Sequence, residues 1–374
     1  MPAGKITIQE AKTKKQLKTF LRLPWQIYRG DPYWVPPLLK EHAFHFSPKN
    51  PFLHHAEIVP YMAVRDGSIV GRIAAIIDQN YIDFHEEKTG FFGFFESIDD
   101  RKVARALVDH AKSFLRARGL KQMMGPVNPS TNDECGLLVE GFDSSPFIMM
   151  PYNPAYYRKL LEGCGLKKAK DLVANRMIND GSIPERLLRI SARITKRLPG
   201  LTIRPLDMKK LDQEVMRVKE VYNGAWRDNW GFVPLTDEEM DLMVKKMKPL
   251  VVPEYVPFAE MGGETLGFAL ALPDYNVVLK RLNGRMTPLG LLKFLYYSRK
   301  IETIRVMLLG VKAEYRKRGI ETLLYLEIFR RGQARGVRWG EMSWILEDNR
   351  LMQKGLEALG AKKYKTYRIY RAPL

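Results

Sequence analysis

Between Thr303 and Glu321 the chain carries the residue types that hold an anionic group. Thr303 to Val311 reads as a strand. Lys312-Ala-Glu-Tyr-Arg316-Lys317-Arg318-Gly319-Ile320-Glu321 follows, and Leu323, Leu324, Leu326, Ile328 and Phe329 then form the apolar set of a helix. Basic side chains and a glycine at a helix start make an anion site. The first N–H groups point outward, the helix dipole favours negative charge, and glycine lets a phosphate approach. A second segment, Gly125 to Asp143, is dense in amides, acids and glycines, the composition of a binding loop. Asn128 and Asn132 within it, with Asn153 and Tyr157 beyond it, are candidate substrate contacts. His42, His45, His54 and His55 cluster around Pro48 and Pro51 without metal-ligand spacing, so no metal site is expected.

The elements that position these residues occur twice. Ala63-Val-Arg-Asp-Gly67 to Asp78 recurs 196 residues later as Ala259-Glu-Met-Gly-Gly263 to Asp274, and each reads as a β-hairpin about a glycine turn. Ala117-Arg-Gly-Leu-Lys121 recurs as Ala334-Arg-Gly-Val-Arg338, each closing a helix, now 217 residues apart. Asn153 and Asn349 restore the offset of 196; each is expected to cap a helix that closes on Gly165 or Gly360. The second copy therefore carries an insertion within Tyr275 to Ile301, and the first carries one from Met124 to Ile148. Each copy reads as a helical start, a hairpin, strand, helix, strand, helix and a final strand. The expected organisation is a first domain over 1–180, a basic helical linker over 181–204 and a second domain over 205–374. Arg186, Arg189, Arg193, Lys196 and Arg197 charge the linker helix.

These residues resemble the GNAT acyltransferase superfamily. Arg316-x-x-Gly319-x-Glu321 is similar to its phosphate loop, with a carboxylate at the last, usually small, position. Asn349-x-x-Met352-x-x-x-Leu356-x-x-x-Gly360-Ala361 keeps the spacing of its last helix, with Leu356 in place of the usual tyrosine acid. The resemblance implies an α/β (α+β) fold of two tandem GNAT-like domains, each a mixed twisted sheet flanked by helices. It implies an N-acyltransferase that uses acetyl-CoA or a longer acyl-CoA, held by Leu309, Gly310, Val311, Arg316, Lys317, Arg318, Gly319, Ile320 and Asn349. Backbone N–H groups of the Leu309–Val311 strand would polarise the thioester while an amine attacks directly. Glu134 and Glu341, on or near the expected site strands, are the candidate general bases. The first copy has Ser97-Ile98-Asp99-Asp100 where the loop would be, acids that repel a pyrophosphate, so the cofactor is expected in the second copy alone.

Gly90-Phe-Phe-Gly-Phe-Phe-Glu96, Gly125-Pro-Val-Asn-Pro-Ser-Thr-Asn132 and Asn153-Pro-Ala-Tyr-Tyr157 further resemble bacterial GNAT-like proteins of the ceramide synthase kind. That resemblance implies a long-chain amine as acceptor. Fem-like aminoacyl transfer from tRNA and a non-catalytic, degenerate binding pair are the rival readings. A net charge of +19 favours anionic partners, and no nucleic-acid-binding signature accompanies it. With 45% apolar and 28% charged residues, wholesale disorder is excluded. Two cysteines exclude a disulfide framework, and no apolar run is long enough to span a bilayer. A cytoplasmic protein is expected, with peripheral contact to an anionic membrane face through the Met286–Tyr297 segment and its basic flanks.

Overall fold

The computed structural model describes residues 4–183, 185–227 and 229–374, with the side chains of Arg186 and Asn223 outside that description. The chain opens with β1 (Ile6–Glu10), α1 (Lys14–Arg22), α2 (Pro24–Ile27), α3 (Leu39–Phe44), β2 (Ala56–Arg65) and β3 (Ser68–Asp78). Then come α4 (Gln79–His85), β4 (Thr89–Ser97), α5 (Arg101–Ala117), β5 (Gln122–Gly125), β6 (Val127–Asn128), β7 (Glu134–Cys135) and β8 (Leu137–Glu140). α6 (Tyr157–Gly163), β9 (Lys167–Ile178), the linker helix α7 (Glu185–Arg197), β10 (Thr202–Pro205), α8 (Leu211–Trp226) and α9 (Asp237–Met247) follow. The last part holds β11 (Pro257–Met261), β12 (Glu264–Pro273), α10 (Asn276–Leu282), α11 (Pro288–Ser298), β13 (Thr303–Val311) and α12 (Ile320–Ala334). β14 (Trp339–Leu346), α13 (Arg350–Ala358) and β15 (Lys362–Pro373) complete it.

The repeated motifs form the same local structures. β2 and β3 pair antiparallel about Asp66-Gly67, and β11 and β12 about Gly262-Gly263, each turn with two positive φ values. That geometry matches the twist of the strands it joins. Asp100 caps α5 by accepting from the Lys102 N–H, and α5 buries Val103, Leu107, Val108, Ala111 and Leu115 along one face. Asn349 caps α13 by accepting from the Met352 N–H, as its spacing predicts. Asn153 does not cap α6, which has no side-chain cap. Its amide instead accepts from the Leu138 N–H and donates to the Leu138 carbonyl, clamping β8. The competing partner is non-local, so sequence spacing could not reveal it.

Contacts divide the chain into two compact units that do not follow a linear cut. One comprises Met1–Leu172, Asn276–Tyr297 and Lys365–Leu374; the other comprises Val173–Tyr275 and Ser298–Tyr364. In the first unit the strands lie in the order β1-β2-β3-β4-β5-β15. β4 and β5 run parallel, and β5 meets β15 antiparallel with Tyr370 opposite Gly125. Its core joins Phe92, Val103, Leu107, Met123, Leu137, Tyr157 and Tyr370. In the second unit β14-β13-β12-β11-β10 is completed by the later part of β9, which neighbours β14. Ile304, Ile320, Leu324, Ile328, Met342 and Leu356 build the core there. Each copy reads in sequence as having its own final strand, β9 in the first and β15 in the second. The structure exchanges them, because a strand edge accepts any extended segment of suitable register.

Candidate active site

In the second unit β13 and β14 run parallel for a short distance. The ladder extends from Thr303 beside Trp339 to Val306 beside Met342. On its other side β13 stays paired with β12 as far as Val311, with a register shift between Leu270 and Ala271 that sets Met307 apart. A bulge of this kind bends the strand and re-aims its backbone groups. Leu309 is half-buried, Gly310 and Val311 are buried, and the Trp226 indole lies against Gly310. Trp226 is itself stacked on Tyr222 with ring centroids 5.0 Å apart.

The loop after β13 is braced from below and charged above. Lys312 pairs with Glu220 at 2.6 Å and Glu264 at 2.7 Å, and Tyr315 donates to Glu264. Arg316 turns inward, donating to the carbonyls of Ala225 and Val311. Lys317 and Arg318 are exposed, Arg318 lying over the Tyr315 ring. Gly319, at φ 89°, precedes α12, and no side chain caps that helix. A side chain at this position would be strained and would press on Ile194 of α7. The chain thus presents uncapped helix N–H groups beside two exposed cations, the arrangement that holds a phosphate. Burial pushes the Glu321 carboxyl up, with a backbone hydrogen bond and Arg316 partly opposing.

Glu341 stands on β14 opposite Arg305 and is 0% exposed. It accepts from Ser343 Oγ at 2.5 Å and from Tyr364 Oη, and Arg305 Nε lies 3.7 Å away. Arg305 also donates to Ser343 Oγ at 2.9 Å. This network ties β13, β14 and the start of β15 together within the second unit. Leu356, at the position of the family's tyrosine, faces an apolar cavity of about 50 Å³ shared with Tyr325, Ile328 and Met342.

The first unit has the same parallel pair, but its gap is filled. β4 and β5 pair from Thr89 beside Gln122 to Phe91 beside Met124. The chain then turns through Pro126, and Val127 and Asn128 lie against β4. A Cβ on Gly93 would collide with the Val127 carbonyl, and Asn128 Oδ1 accepts from the Phe94 N–H at 2.7 Å. Phe94 is held at φ 51° there. The insertion into the first copy thus plugs the opening that the second copy keeps. Glu134 on β7 is half-buried and in register with Asn128, while Asn132 sits in the turn between β6 and β7, its N–H donating to Ser130 Oγ.

Tyr157 is fully buried; its hydroxyl donates to Glu96 at 2.7 Å and accepts from the Ser97 N–H. Arg72 completes a cluster that the sequence reading passed over, 3.5 Å from Glu96 and donating to the Phe20 carbonyl. Burial pushes Glu96 up against the opposing pull of Arg72, Tyr157 and Tyr28. Burial, then His45 and Arg72, push His42 down, so its imidazole is neutral near pH 7. The signal was present in the sequence: Arg72 and Glu96 each interrupt a run of apolar and small residues within a strand. Asn128, Asn132, Glu134, Asn153 and Tyr157 thus belong to the first unit, and Leu309 to Ile320, Glu341 and Asn349 to the second.

No protein-family profile matches the chain. It is 37% identical over 378 residues to the bacterial ceramide synthase of Caulobacter vibrioides, covering 99% of this chain and 98% of that one. It is 36% identical over 364 residues to Protein YghO of Escherichia coli, covering 96% and 93%. Among solved structures, a tandem GNAT protein from the clavulanic acid biosynthesis pathway superposes with a TM-score of 0.58 at 15% identity, covering 99% and 98%. A GCN5-related N-acetyltransferase from Sphaerobacter thermophilus gives 0.55 at 16% identity, covering 98% and 95%. The full-length likeness shows that the chain belongs to the family of the bacterial ceramide synthase and is an N-acyltransferase, and its fold is that of tandem GNAT proteins.

Proposed function

We propose that the chain transfers an acyl group from acyl-CoA to a long-chain amine, with CoA held by the second copy alone. The observation that carries this reading is the contrast between the two parallel pairs. In the second copy β13 outruns its ladder with β14 and leads into the Lys317–Gly319 loop. In the first copy Val127 and Asn128 fill the equivalent space, and Asp100 caps the following helix. The likeness to a protein named bacterial ceramide synthase supports a lipid amine as acceptor and a fatty acyl group as donor.

In this reading the N–H groups of Ile320 and Glu321, with Lys317 and Arg318, hold the pyrophosphate. Backbone N–H groups of Leu309 to Val311 orient the thioester and stabilise charge developing on its oxygen. Asn349 fixes the start of the helix beyond β14, as its cap. A carboxylate takes the proton of the attacking amine; Glu134 and Glu341 are the two candidates, and Asn128, Asn132, Asn153 and Tyr157 are proposed to shape the acceptor side.

Titration calorimetry with palmitoyl-CoA tests the cofactor site. Lys317→Glu with Arg318→Glu reverses two exposed charges without touching the core, and affinity should fall at least about tenfold, or 1.4 kcal/mol. Unchanged affinity removes the cofactor from this loop. Mass spectrometry after incubation with mixed acyl-CoAs and amines identifies the acceptor, and binding without any product favours a degenerate binding pair instead.

A further inference from the structure

Most of the insertion into the second copy is grouped with the other copy's unit. Asn276–Tyr297 belongs to the first unit. There α10 is fastened: Trp25 Nε1 donates to Asn283 at 2.9 Å, and Lys280 donates to Ser145 Oγ at 3.1 Å and to the Pro32 carbonyl. Helix α11, held next to it, turns an apolar surface outward. Leu289 is 63% exposed, Leu292 64% and Leu295 53%, and Met286, Leu291 and Tyr296 widen the patch. Contiguous exposed apolar surface of this kind marks an interaction site. Beside it opens a cavity of about 580 Å³ whose lining includes Arg22, Arg281, Arg285 and Lys293 and, among the described residues, no carboxylate.

Leucines that want hydrocarbon and cations that want an anion, side by side on one seated helix pair, match one surface. A nucleic acid would leave the leucines unmatched. A second copy of the chain, meeting this one symmetrically, would bring two basic clefts together. We propose that α10–α11 is the docking surface for an anionic phospholipid bilayer, with α11 lying in the interface plane and the Arg22–Arg281–Arg285–Lys293 cleft taking lipid phosphate. The inference extends the proposed function by stating where a lipid amine would be met, but the surface does not depend on that reading.

Vesicle co-sedimentation of the full chain tests it. The protein should sediment with phosphatidylglycerol vesicles at low salt, be released at high salt, and stay in solution with phosphatidylcholine vesicles. Each basic side chain near an anionic surface is worth about fivefold, so Arg285→Glu with Lys293→Glu should weaken partition about thirtyfold or more. Leu289→Ser with Leu292→Ser should weaken it about tenfold or more. All four residues are exposed, so neither pair should lower the melting temperature, and each pair serves as control for the other. Equal binding to both vesicle types overturns the proposal, as does no binding at low salt or parent-like binding by both double variants. So does a dimer in solution that the leucine variant converts to monomer. Sedimentation as described by a chain that transfers no acyl group would leave the surface standing and refute the function instead.

Discussion

Leu356 and Glu341 set what the second copy can tolerate at single positions. Leu356 lies in an almost wholly apolar lining, so Leu356→Tyr would place a hydroxyl where few polar partners wait. A loss of about 1–3 kcal/mol is expected, read as a lowered melting temperature. Glu341→Gln leaves the buried Arg305 guanidinium without its counter-charge and should cost about 3–5 kcal/mol. If the variant melts like the parent but loses turnover, Glu341 is the proton acceptor and its ion pair contributes little to stability. In the first copy Asn128→Ala removes the acceptor for the Phe94 N–H, and a loss of about 1–3 kcal/mol is expected in a denaturant melt. Residue types pointed to Asn349 as a cap because its partner lies three residues away. They could not show that Asn153 clamps Leu138, or that Arg72 and Glu96 meet, because those partners come from other strands.

At the scale of elements, β9 and β15 are fastened by charge. Arg368 holds Asp171 through two hydrogen bonds, of 2.7 and 2.9 Å. Burial pushes the Asp171 carboxyl up, but hydrogen bonds from Arg368 and Lys168 outweigh it and keep its pKa below the ordinary 3.8. A depressed carboxylate pKa contributes stability that is complete above the unfolded value and fades as pH falls through it. Asp171→Asn should therefore cost about 1–3 kcal/mol near neutral pH. Its penalty should shrink as the pH of the melt is lowered below about 4. A penalty independent of pH would show that the pair contributes through shape alone. The linker helix α7 was legible from its basic and apolar stripes, and it packs Leu187 and Ile194 inward with Arg189 and Arg193 outside.

For the whole molecule, the exchanged strands make the end of the chain part of the first unit. Ending the chain after Tyr364 removes residues 365–374, which lie beside β5 and β8. Hydrogen exchange should then rise in Gln122–Gly125 and Leu137–Glu140 before it rises in β11 and β12. Uniform loss of protection would mean that the units unfold as one. Two copies of one fold, the hairpins, the Asn349 cap and the basic loop before α12 were determined by sequence alone. Each rests on residues within one turn or one strand of each other, where backbone preference and side-chain chemistry decide. Three features were decided only in three dimensions: which copy receives β9 and β15, that Val127 and Asn128 close the first copy's opening, and that most of the second copy's insertion is grouped with the first unit. Each depends on which surface a segment can bury and which strand edge is left to pair, and a sequence records the segment but not the surface it meets.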